Sequence, residues 1–275
     1  MITEPTDEHE GPLASGDAAG APSGRVPDGS GSRTTRVLGI ILIPAVALWF
    51  YLTLVGSPAD VNQGEVVRLL YVHVPIVVVA YAACFLAAGA SAVWFWKRTQ
   101  WWDLVAASSA EIATVMVAAT LVVGSIYGRP TWGVYWTWDA RLTATAMLML
   151  LLLGYLAVRR IPASPEVRGR RSAIVAMLFI PNIIVVNQSV TWWRSLHQDP
   201  TLFRLSLSPK IEGLMFFTLT YSFAVGLLFF AWLLVHRFRV AYLQDQVDAA
   251  GLDLAIEERR DEGWDDGWAA GGAPS

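Results

Sequence analysis

Residues 74–96 read VPIVVVAYAACFLAAGASAVWFW, twenty-three positions without one charged side chain. A helix or strand at the edge of a soluble core alternates apolar with polar residues, because one of its faces meets water. Nothing alternates here, and the run has the length a helix needs to cross a bilayer, about 17–25 residues. Five further blocks of this kind occur, at about 37–55, 104–126, 142–158, 172–190 and 211–235. In hydrocarbon each backbone N–H and C=O must find its partner within the protein, so every block reads as a helix. The expected fold class is an all-α integral membrane protein, with six transmembrane helices and tryptophan-rich outer loops.

The rest of the chain agrees. Of 275 residues 55% are hydrophobic and 16% charged, with a mean hydropathy of +0.45, whereas soluble domains carry about 25% charged residues. This excludes collagenous and wholly disordered classes. The one cysteine, Cys84, lies inside the second block, which excludes an intrachain disulfide, a CxxC redox pair and a CxxCH haem attachment. The net charge of −3 comes with no basic reading motif, so nucleic acid is not an expected partner. No phosphate loop, GxSxG or HExxH occurs, and no catalytic turnover is assigned. Pro75 is expected to open the second helix, and Pro44 and Pro181 to kink the first and fifth.

Three parts follow: a Gly-, Pro- and Ser-rich tail at 1–35, expected to be disordered; a membrane domain at 36–240; and an acidic tail at 241–275. The first tail lacks the apolar run of a signal peptide, so the first span is expected to carry any export signal. In the last tail Leu243, Val247, Ala250 and Leu254 fall on one face of a short helix. An even number of spans puts both ends on one side. That side holds 14 of the 20 Lys and Arg residues, so both termini are expected to be cytoplasmic. Loops at about 56–73, 127–141 and 191–210 then face outward.

Two of the four histidines lie in those outward segments: His73, where the first loop enters the second helix, and His197, after the fifth. His9 and His236 lie elsewhere and are expected to be passive. The middle loop reads Trp132-Gly133-Val134-Tyr135-Trp136-Thr137-Trp138-Asp139-Ala140-Arg141. An interfacial aromatic belt accounts for one or two tryptophans. Three within seven residues, followed by an acid and an arginine, suit a large planar ligand with carboxylates. Two imidazoles could take the axial positions of a haem iron. The indoles would offer its ring an apolar shelf, and Arg129, Arg141 or Arg194 would meet its propionates.

The string W-G-x-x-W-x-W-D-x-R-L-T closely resembles the signature of the tryptophan-rich WWD family of haem-handling proteins. With the six spans, Tyr71-Val72-His73-Val74-Pro75 and Trp192-Trp193-Arg194-Ser195-Leu196-His197-Gln198, the chain resembles the CcmC branch over roughly residues 36–240. The resemblance implies haem contacts by Trp132, Trp136, Trp138, Asp139 and Arg141 in a haem-binding loop at 127–143. It also implies iron ligation by His73 and His197. Tyr135 departs from the pattern, standing where another tryptophan is expected, and keeps an aromatic surface. The implied function is to bind haem b, non-covalently and as cargo, on the periplasmic face of a bacterial inner membrane. A CcmE-type haem chaperone would receive it, beside ABC-type and small membrane subunits of a cytochrome c maturation complex. The alternatives are a b-type-haem electron-transfer protein and another haem lyase component of the WWD family. The first usually places its histidines within spans at two depths. A transporter would instead carry its polar signal along the helices. Glu111, in the third span, is expected to make a structural hydrogen bond or a partner contact, and Asn182, Asn187 and Gln188 to join helices.

Overall fold

The computed structural model describes residues 31–197 and 213–269, with side chains to residue 260. Residues 1–30, 198–212 and 270–275 therefore lie outside the described residues. The described backbone is all-α. The elements are α1 (Arg33–Tyr51), a π-helical turn (Leu52–Gly56), α2 (Val67–Lys97), α3 (Gln100–Trp132), α4 (Ala140–Arg160), α5 (Pro165–Met177), α6 (Phe179–Trp192) and α7 (Gly213–Ala269). Taking α1 with its π turn, and α5 with α6, six helical stretches among the described residues are long and apolar enough to cross a membrane. The protein is a multi-pass membrane protein.

The helices outrun the apolar blocks. Hydropathy marks only what touches hydrocarbon, whereas the hydrogen-bond ladder continues until a residue stops it. α2 begins at Val67, so Pro75 is buried within the helix and does not open it. For the same reason His73 stands inside α2, beyond its first turn. Pro44 lies within an unbroken α1. Pro181 does mark a break: the helix is interrupted at Leu178, and the proline sits in the first turn of α6. The short helix expected after residue 240 is instead the continuation of α7 to Ala269, since no proline interrupts 213–269.

The core is built from small side chains. Ala80, Ala83, Cys84 and Ala87 of α2 meet Ala110, Ala113 and Val117 of α3, with Leu148, Leu152 and Tyr155 of α4 and Phe179 of α6 around them. Lipid tails are as apolar as leucine, so membrane helices gain contact through close backbone approach, which small residues permit. Cys84 is one of these packing residues. At one end of the bundle Arg159 donates to both oxygens of buried Asp103, at 2.7 and 2.8 Å. Glu111 accepts from Arg237 of α7 through two nitrogens, so the intramembrane acid serves as a structural tie between α3 and α7.

Candidate functional site

At the other end, α2, α3, α4 and α6 enclose a cavity of about 260 Å³. His73 of α2, Trp132 at the end of α3, Arg141 in the first turn of α4 and His197 beyond α6 all line it. Residues from three separate stretches of the chain thus converge on one volume. The remaining wall is mostly apolar, including Val77, Val117, Leu121, Leu148 and Val186.

The tryptophan string forms a helix stop, a loop and a helix start. Gly133 ends α3 at φ 80°, where a side chain would be strained, and its N–H returns to the Arg129 carbonyl. Asp139 opens α4 as its N-cap, accepting from the Arg141 N–H at 3.1 Å. Trp132, left on the last turn of α3, is thereby aimed inward, and its ring meets His197 edge-on at 4.5 Å.

Asp139 does more than cap. Its side chain is 3% exposed and accepts from the Ser195 hydroxyl at 3.1 Å and the Leu196 N–H at 3.0 Å. Nδ1 of His197 stands 3.0 Å from Oδ2. Burial raises the Asp139 pKa, but these hydrogen bonds and the nearby His197 outweigh it and hold the carboxyl below its ordinary value. An ionised carboxylate only accepts, so Nδ1 of His197 carries the hydrogen and Nε2 is left as its free nitrogen. Burial, aided by the Arg141 charge, holds the His197 pKa below its ordinary value against the opposing pull of Asp139. The neutral ring, the form that ligates metals, is favoured.

His73 is held differently. Its Nδ1 is buried and has no hydrogen-bond partner among the described residues. Its ring lies against Gly124, where a Cβ would stand 2.9 Å from Cε1, and is tilted to Tyr127 at 6.2 Å. Tyr127 donates to Gln63 at 2.6 Å, which brings the connection between α1 and α2 onto the cavity wall. That loop is shaped by Asp60, whose carboxylate accepts from the N–H groups of Asn62 and Gln63. Arg141 reaches the Asn187 carbonyl at 3.4 Å, and its Nε is buried without a partner among the described residues.

Other residues singled out in the sequence stand apart. Trp136 and Trp138 pack edge-on with each other at 5.7 Å, outside the cavity wall, and Trp138 is 81% exposed. Asp139 likewise turns its carboxylate to protein partners, not to the cavity. Arg129 and Arg194 are exposed; Arg129 donates to the Gly133 carbonyl and lies over Tyr135. His236 packs edge-on against Trp232 of α7. Asn187 belongs to the cavity wall, and the buried Oδ1 of Asn182 has no partner among the described residues.

Gln63, Gly124 and Tyr127 were missed in the sequence. Helical spacing was the available signal: Thr120, Gly124, Tyr127 and Thr131 recur at three and four residues, and all four line the cavity.

Comparison with known proteins settles the lineage. The family model for heme exporter protein C matches residues 29–252. The chain belongs to the heme exporter protein C family. Heme exporter protein C of Escherichia coli strain K12 is 34% identical over 160 residues, which cover 57% of this chain. The match spans 64% of that relative's length, just under two thirds. The Haemophilus influenzae protein of the same name is 30% identical over 211 residues, 76% of this chain and 83% of the relative. That of Paracoccus denitrificans is 28% identical over 233 residues, 84% and 90% of the two chains. The family match takes in every cavity residue and stops short of both chain ends.

Proposed function

We propose that this membrane protein takes haem b as non-covalent cargo at the cavity and presents it to a haem chaperone for cytochrome c maturation. The observation that carries the reading is the convergence of His73, Trp132, Arg141 and His197 on one volume. The chemistry of the donor set fits. Two imidazoles can occupy opposite axial positions of iron, and apolar walls suit a porphyrin. The orphaned Nε of Arg141 is a buried polar atom without a partner among the described residues, which is costly unless a ligand or water satisfies it.

His73 and His197 are the proposed iron ligands, Trp132 the ring contact within the cavity, and Arg141 the partner of a propionate. Trp136 and Trp138 extend an exposed aromatic surface beside it, suited to the rim of the cargo and to the chaperone that receives it. The positive-inside bias supports an outer, periplasmic position for this end in a bacterial inner membrane, with both termini cytoplasmic. Presentation, without catalysed bond formation, is the role of this chain; the ABC-type and small membrane subunits of a maturation complex are its proposed neighbours.

Absorption spectroscopy of the protein purified with its haem tests this. Wild type should give a six-coordinate, low-spin spectrum. His73→Ala and His197→Ala should each shift it or lower occupancy, and His236→Ala should not. Unchanged spectra in both cavity variants would refute the ligand assignment.

A further inference from the structure

The two cavity histidines are secured in unlike ways. His197 is bound through Nδ1 to a carboxylate that is itself fixed by three other donors: the Arg141 N–H, the Ser195 hydroxyl and the Leu196 N–H. Trp132 closes on the same ring from the side. His73 has a buried Nδ1 with no hydrogen-bond partner among the described residues, and its ring packs against Gly124 and Tyr127. One imidazole is thus oriented and polarised by an anion, and among the described residues the other has no such partner at Nδ1.

From this contrast we infer that Asp139 is a positioning residue acting through His197, and that the two histidines are unequal ligands. His197 is the anchored one; His73 is the one that yields when haem is handed on. The inference rests on the ligation proposed above and adds an order of events to it. An N–H donated to a carboxylate fixes the tautomer and orientation of a ligating imidazole and raises its basicity. Nε2 of His197 is therefore the stronger donor to iron. His73 lacks that support. When the iron–His73 bond breaks, the nitrogen keeps its electron pair, and a donor group from the receiving protein fills the vacated position with its own pair. No electron or proton need move. A carrier with two anchored ligands would retain its cargo, and one with none would lose it.

The reading also changes what the acid of the tryptophan string is for. Its carboxylate is only 3% exposed and its protein partners already occupy it, so its effect on haem passes through the imidazole.

Resonance Raman spectroscopy of the full-length ferrous haem protein tests this. His73→Ala and His197→Ala are each prepared with and without Asp139→Asn. In His73→Ala the remaining ligand is His197, and the iron–histidine stretch should lie at the higher frequency and fall when Asp139→Asn is added. In His197→Ala the stretch belongs to His73, and should be lower and unmoved by Asp139→Asn. In otherwise wild-type protein Asp139→Asn should raise the midpoint potential, on the order of tenfold in the ferric-to-ferrous ratio or ~59 mV. Equal stretches in the two single variants, or an Asp139→Asn effect on both or on neither, would overturn the inference while leaving ligation intact. Spectra that stay six-coordinate in both histidine variants would overturn the ligation itself. Should Asp139→Asn retain no haem, nitrogen NMR of ring-labelled, haem-free protein reads the same point. His197 should be the Nδ1–H tautomer in wild type and shift toward the other in the variant; identical tautomers would defeat the proposal.

Discussion

Gly124→Ala is the sharpest small perturbation the site offers. The new Cβ would stand 2.9 Å from Cε1 of His73, 3.6 Å from Nδ1 and 3.7 Å from Nε2. Carbon atoms prefer about 3.5–4.0 Å, so the ring must retreat by roughly half an ångström or more. The backbone of α2 is locked by helix on both sides of residue 73, so the retreat falls on the imidazole. That displacement reaches the ~0.5 Å tolerance within which a binding constellation works. Overpacking costs about 1–3 kcal/mol, and alanine recovers about 0.5–1 kcal/mol over glycine within a helix. The net cost to folding should therefore be about 0–2.5 kcal/mol. Haem affinity, which bears the ring strain directly, should drop roughly 5- to 150-fold at 1.4 kcal/mol per decade. Haem-to-protein ratio and the low-spin spectrum measure the loss, with a melting curve on the same sample. Gly154→Ala is the control, because a Cβ there meets nothing within 4 Å. Full haem content and an unshifted spectrum in Gly124→Ala would show that the His73 ring does not ligate from this position.

The other expected outcomes concern separate parts of the molecule. Trp132→Ala should release more haem than Trp138→Ala, since only the first indole lines the cavity; Trp138→Ala should instead lower transfer to the chaperone, and haem retention against c-type cytochrome yield separates the two. Glu111→Gln should destabilise the bundle by a few kcal/mol, because it strands the Arg237 charge, while an apolar pair at both positions should restore the melting temperature. Reporter fusions after Arg160 and within residues 133–139 should report opposite sides of the membrane, and matching sides would overturn the topology.

The histidines and the tryptophan string were legible as a group because their residue types are rare and chemically specific, and because alternating spans put their loops at one end. Their individual roles were not. Asp139 reads as a ligand contact in the string, yet it caps α4 and grips the His197 segment, 58 positions along the chain. Trp132 and Trp138 look equivalent in one dimension. The left-handed turn at Gly133 leaves the first on a helix facing inward and the second in an exposed loop. Gly124 carried no chemical signal, since a missing side chain shows its purpose only when its neighbour is known.

What the sequence by itself determined is the all-α, six-span class and the membrane as solvent. Hydrocarbon admits few backbone solutions, and runs of some twenty apolar residues select one of them. The helix ends, the break at Leu178 and the reach of α7 to Ala269 depended on capping and proline chemistry that hydropathy does not weigh. Only the tertiary structure decided which side chains share the cavity and that its two imidazoles are held unequally. Those outcomes are contacts between distant segments, set by how small-residue faces of α2 and α3 let the helices approach, and no local pattern encodes them.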